Sequence, residues 1–69
     1  MTLRVQLERE RLGFSKLEAS RRSKISPATY GHVESGRYTP YARELERIAE
    51  ALGWSGDIAA LLEAVEPRA

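Results

Sequence analysis

Sixty-nine residues, 42% hydrophobic and 30% charged, allow one small domain, because a chain this short buries only about 60% of the surface it exposes when unfolded. With no cysteine and one histidine, a disulfide and a thiolate metal site are excluded, and no metal or other cofactor is expected. No apolar run approaches the ~20 residues of a membrane span and no signal peptide opens the chain, which points to the cytoplasm. The net charge is only +1, but residues 1–37 carry eight Lys/Arg against four Glu, whereas residues 38–69 carry three Arg against six acids. Such asymmetry hints at a nucleic-acid face on the first half.

Five short helices are expected in chain order. The first runs from about Thr2 to Leu12, with Leu3, Val5, Leu7 and Leu12 as apolar positions, and stops at Gly13. Ser15-Lys16-Leu17-Glu18 reads as a reciprocal capping box that opens the second, from about Lys16 to Arg22. Ser26-Pro27, an N-cap serine followed by a proline whose missing N–H costs nothing there, opens the third, and Gly36 closes it. Thr39-Pro40 repeats the device for the fourth, in which Ala42, Leu45, Ile48, Ala49 and Leu52 recur at helical spacing before Gly53. Ser55 or Asp57 caps the fifth, at about residues 56–66, with Ile58, Leu61, Leu62 and Val65 on one stripe and Pro67 as its stop. Nothing alternates with period two, so no strands are expected. The fold class is all-α, a compact five-helix bundle spanning residues 1–69 as one domain. No phosphate-cradling glycine loop, no Ser/His/Asp arrangement and no metal cluster is present, so an enzyme is not expected. Glu44, Glu46 and Glu50 read as i,i+3 surface pairs with Arg43 and Arg47.

The third helix is thin in core residues, and two short helices joined by a three-residue turn form a helix-turn-helix pattern, here at about residues 15–36. The run GFSKLEASRRSKISPATYGHVESGRYTPYARELERIAEALG, residues 13–53, resembles the Cro/repressor (XRE-type) helix-turn-helix family. Gly13, Phe14, Ser15, Ile25, Ser26, Val33, Glu34, Gly36, Pro40, Leu45, Ile48, Ala49, Ala51, Leu52 and Gly53 stand in register with that family's pattern. Three departures stand out. Lys16 replaces the glutamine that often begins the second helix, Lys24 replaces the turn glycine, and Leu17 and Ala19 invert the usual small-large order.

The resemblance implies a lambda-repressor-like domain that binds double-stranded DNA, with the third helix in the major groove. It places Pro27, Ala28 and His32 toward the groove and counts Thr29 among the DNA-binding residues, with Gly31 either permitting close approach or standing as a weak helix position. Phosphate contacts are then expected from Lys16, Arg21, Arg22, Lys24 and Arg37, helped by Ser15, Ser26 and Tyr38. The absence of Arg, Gln and Asn from the third helix implies modest direct base readout. The resemblance also pairs Arg9 with Glu34 as a partly buried bridge from the first helix to the third. One module with few readers needs a partner, so a homodimer is expected, with Tyr41, Trp54, Ile58 and Leu62 as interface residues; the alternative for that stripe is core. The leading function is a sequence-specific transcriptional regulator, in the first instance a repressor. The alternative is a protein–protein adaptor or antitoxin module that uses the fold to bind a protein partner.

Overall fold

The computed structural model describes residues 2–65. Its elements are β1 (Thr2–Leu3), α1 (Arg4–Arg11), α2 (Lys16–Ser23), α3 (Pro27–Ser35), α4 (Ala42–Ala51), a 3₁₀ segment (Ile58–Leu62) and β2 (Ala64–Val65). Among the described residues the chain is mostly helical, with four α-helices rather than five, and none of these is long and apolar enough to cross a membrane.

The terminal elements depart most from the sequence expectation. Thr2 and Leu3 do not begin the first helix. They form an antiparallel pair with β2, Thr2 opposite Val65 and Leu3 opposite Ala64. The expected fifth helix over residues 56–66 is instead one 3₁₀ segment, capped by Asp57 Oδ1, which accepts the Ala59 N–H at 3.1 Å. Its bonds are of the i→i−3 kind, Ala60 N to Asp57 O at 3.0 Å and Glu63 N to Ala60 O at 3.1 Å. Glu63 then turns extended, and its carbonyl accepts the Arg4 N–H at 2.9 Å. The strand ladder satisfies backbone groups that a fifth helix would have satisfied internally. The Pro67 stop lies outside the described residues.

Local chemistry sets the other boundaries. Ser15 Oγ accepts the Glu18 N–H at 3.0 Å, but the Glu18 carboxylate is engaged by Arg22 Nε at 2.7 Å, so only half of the capping box forms. Ser26 Oγ caps α3 by accepting the Thr29 N–H at 3.2 Å, with Pro27 in the first turn. Gly36, left-handed at φ 80°, ends it. Helix α4 starts later than Thr39-Pro40 suggests. Its N-cap is Tyr41, whose N–H donates to Glu44 Oε1 at 2.9 Å, while Pro40 is buried ahead of it. No ion pair joins Arg43 or Arg47 to Glu44, Glu46 or Glu50 among the described residues.

Lys24 occupies the left-handed turn between α2 and α3, at φ 58° and ψ 40°, and is the one described non-glycine residue with positive φ. A Cβ is disfavoured there by roughly 1–2 kcal/mol, partly offset by the greater freedom glycine has when unfolded. Lys24→Gly is therefore expected to stabilise the fold by about 1 kcal/mol and raise Tm by about 4–8 °C. A fall in Tm in a thermal melt would show that the lysine side chain contributes more than its backbone costs.

The core comprises Val5, Ala19, Tyr30, Val33, Leu45, Ile48, Ala49, Leu52 and Leu61, with Leu3, Phe14, Ile25, Tyr38, Trp54, Ile58 and Leu62 packed around it. Helix α2 contributes only Ala19, Ser20 and Ser23, small residues that let α4 come close. Both serine hydroxyls return to their own helix, Ser20 Oγ donating to Leu17 O at 2.7 Å and Ser23 Oγ to Ala19 O at 2.8 Å. The inverted Leu17/Ala19 order resolves accordingly: Ala19 is buried and Leu17 is 46% exposed.

Tyr30 is fully buried, and its hydroxyl meets no hydrogen-bond partner. Such an orphan costs about 1–3 kcal/mol. Burial, with the Glu34 carboxylate beside it, pushes the phenol well above its usual range. The folded state thus holds this proton more tightly than the unfolded chain, and stability drains away as pH rises past about 10, where unfolded tyrosine ionises. Tyr30→Phe is expected to gain about 1 kcal/mol at neutral pH and to flatten the alkaline decline in melts recorded from pH 7 to 11. A loss at neutral pH would mean that the hydroxyl is bonded.

Candidate nucleic-acid interface

Helices α2 and α3 are joined by the three residues Lys24–Ser26, and the hinge is held by two bonds, Lys24 N to Arg21 O at 3.2 Å and Ile25 N to Ser20 O at 3.0 Å. From this frame α3 turns Tyr30, Val33 and Glu34 inward. Pro27, Ala28 and His32 are exposed, and Thr29 is half-buried, its Oγ1 accepting from Ser26 Oγ at 2.9 Å. The outward face of α3 is therefore small or polar and takes no part in the core. At Gly31 an added Cβ would meet nothing within 4 Å.

One ion pair fixes α3 against α1. Arg9 Nε donates to Glu34 Oε2 at 2.7 Å and Arg9 Nη2 to Glu34 Oε1 at 3.1 Å, a bidentate fork between residues 8% and 6% exposed. The third guanidinium nitrogen, Nη1, donates to Phe14 O at 2.8 Å and so ties down the loop that leads into α2. The Glu34 hydrogen bonds raise the Arg9 pKa above its ordinary value. One side chain thus sets the positions of α1, α2 and α3 relative to one another.

The basic residues divide into groups. Lys16, Arg21, Lys24 and Arg37 are exposed and make no ion pair among the described residues. Lys16 follows Ser15 at the start of α2, where free amides and the helix dipole favour an anion. Arg22 is committed within the fold, bonded to Glu18 and stacked over the Phe14 ring with its guanidinium carbon 4.4 Å from the centroid. Arg22 and Lys24 also line a cleft with Ser23, Arg47 and Glu50. Sequence reasoning passed over Arg47 because its neighbours in the chain offered it local acidic partners, which it does not take.

A second cleft, of about 450 Å3, is lined by Thr29, His32, Arg37, Tyr38 and Glu44. The loop carrying Arg37 and Tyr38 is anchored to the end of α3 by Arg37 N and Tyr38 N, both donating to His32 O, at 2.9 and 3.3 Å. Tyr38 Oη donates to Glu44 Oε1 at 2.7 Å. The Tyr41 N–H and then the Tyr38 hydroxyl hold the Glu44 carboxyl below its ordinary range, while the bond to Glu44 raises the Tyr38 phenol. Tyr38 has only this one proton to give. A phosphate contact from its hydroxyl therefore requires the bond to Glu44 to break. Glu44 was not among the sequence candidates, because the tyrosine three residues before it is not the Ser or Thr that marks a carboxylate reaching back to a helix start.

The residues singled out for self-association are spread out. Tyr41 is 68% exposed. Leu62 lines a groove of about 270 Å3 with Leu3, Val33, Gly36, Tyr38 and Thr39. Trp54 and Ile58 are half-buried against the core, and the Trp54 indole N–H donates to Asp57 O at 2.9 Å. Part of the surface of these two side chains is therefore already committed to the core. No group of three or more metal-ligating side chains occurs among the described residues.

A family model described as a helix-turn-helix domain matches residues 2–62. No curated protein matches the chain. No solved structure matches it either.

Proposed function

The chain belongs to the helix-turn-helix domain family, and from that premise we propose that it is a sequence-specific DNA-binding transcriptional regulator of the Cro/repressor type, with a lambda-repressor-like fold. It acts as a homodimer with α3 in the major groove of an operator. The carrying observation is the outward face of α3, where Pro27, Ala28 and His32 are exposed and free of core duties. Lys16, Arg21, Lys24 and Arg37 lie on the flanking elements without ion partners among the described residues. Small residues let the helix approach base edges, and the cations neutralise phosphates. Ala28 suits a thymine methyl, and His32 a base edge or phosphate. Arg22 contributes less than its charge suggests, because Glu18 already neutralises it.

Two-fold pairing doubles a sparse readout and spaces the half-sites about one helical turn apart. Tyr41 and the groove containing Leu62 are the surfaces offered for it. Repression then requires no more than occupancy of a promoter.

Titration of the chain into a fluorescent duplex library at several salt concentrations tests this reading. Selective binding is expected, with a log–log salt slope of roughly −3 to −4 per protomer for four engaged cations. Arg37→Ala is expected to weaken all duplexes alike, whereas His32→Ala relaxes selectivity. Gly31→Ala separates folding from recognition. It is expected to stabilise the free protein by about 1 kcal/mol and, if the α3 backbone lies against the bases, to weaken DNA binding. Weak, non-selective binding at low salt would overturn the assignment.

A further inference from the structure

Helix α3 lacks the arginine, glutamine and asparagine side chains that read purines bidentately, yet the cleft beside it holds hydrogen-bonding groups of another kind. Glu44 Oε1 is engaged twice, by Tyr38 Oη at 2.7 Å and by the Tyr41 N–H at 2.9 Å. No donor among the described residues bonds to Oε2. These two bonds fix the carboxylate in place and hold it below its ordinary range. Tyr38, with its proton spent on Glu44, presents only lone pairs to the cleft. A fixed pair of acceptors therefore sits among the donors Arg37 and His32 on the wall of a cleft shared with α3.

We propose that Glu44 is a specificity-determining residue which, with Tyr38, accepts a hydrogen bond from the exocyclic amino group of a base, N4 of cytosine or N6 of adenine. The proposal rests on the DNA-binding reading above and deepens it. A carboxylate pressed against a duplex is repelled by phosphates and by the acceptor edges of guanine and thymine, and leaving it without a donor is costly. In the major groove the only donors are those two amino groups. The same charge that weakens binding to a generic duplex is thus compensated where an amino group faces the cleft. Selectivity arises by penalising the alternatives as well as by attracting the target.

The test uses the full chain and a randomised duplex pool, comparing wild type with Glu44→Gln. The glutamine keeps an acceptor oxygen for Tyr38 and the Tyr41 N–H, so Tm should move by no more than about 2 °C. Wild type should prefer cytosine or adenine at one position per half-site by about tenfold. In Glu44→Gln the amide nitrogen takes the place of the free Oε2 and donates. The preference should then move away from the amino-bearing bases toward the acceptor edges of guanine and thymine, while affinity for random duplex rises several-fold. Replacing the preferred base by its analogue without the amino group, purine for adenine or 2-pyrimidinone for cytosine, identifies which amino group is read. It should weaken wild type about tenfold and leave Glu44→Gln unchanged. Identical base profiles for the two proteins would overturn the proposal while leaving DNA binding intact. Absence of salt-dependent wild-type binding to any duplex would overturn the DNA-binding reading itself, and the role of Glu44 with it.

Discussion

Glu34→Ala is expected to cost about 3–5 kcal/mol, because it leaves the Arg9 guanidinium buried without its counter-charge. At 0.05–0.15 kcal/mol per residue, a chain of this length has roughly 3–10 kcal/mol in total, so the variant should be largely unfolded near body temperature. Arg9→Ala is expected to cost as much or more, since it also removes the donor to Phe14 O. The double variant should lose less than the sum of the two singles, and thermal or urea melts of all three give the coupling directly. Strictly additive losses would mean that the fork contributes nothing as a pair. The pair is no measure of net stabilisation, because a well-packed apolar replacement of both residues is often neutral or better. Its distinctive contribution is orientation. The guanidinium plane fixes the angle at which α3 leaves α1 and the place where α2 begins.

Leu61→Ala should be nearly as damaging, at about 2–5 kcal/mol. Leu61 is fully buried and belongs to the 3₁₀ segment, which packs against both α1 and α4. Its removal leaves a void between elements that a five-residue segment cannot collapse to fill. Hydrogen exchange should show the Arg4 amide losing protection before those of α2 and α4, because its bond to Glu63 O depends on the same closing segment. Leu62→Ala, truncating a half-buried neighbour, should cost about 1 kcal/mol. A Leu61→Ala loss below that of Leu62→Ala would show that the closing segment lies outside the cooperative core.

The limits of the sequence reading follow the range of the interactions involved. The starts of α2 and α3 and the end of α3 were legible because Ser15, Ser26 and Gly36 act within three or four residues of themselves. The closing segment was not, because its apolar stripe fits a helix and the partner that draws Ala64–Val65 into a strand lies at the opposite end of the chain. Periodicity carries no information about such a partner. The exposed face of α3 was legible as a shortage of core residues. The committed state of Arg22 was not, since both Glu18 and the Phe14 ring must converge on it. Glu44 was hidden for a similar reason. Its second partner, Tyr38, reaches it across a loop, and the nearby arginines offered a more obvious pairing.

The pairing of Thr2 with Val65 has a further consequence. It brings the two extremes of the described chain side by side, so the fold is close to a ring that happens to be cut at one point. A short linker from Val65 to Thr2, with new ends opened at the exposed Ser55–Gly56 bend, would leave every helix and both halves of the helix-turn-helix uninterrupted. In such a permuted chain β2 would lead directly into β1, and the terminal ribbon would become a local hairpin. For this molecule, which residue comes first is a property of the gene more than of the fold.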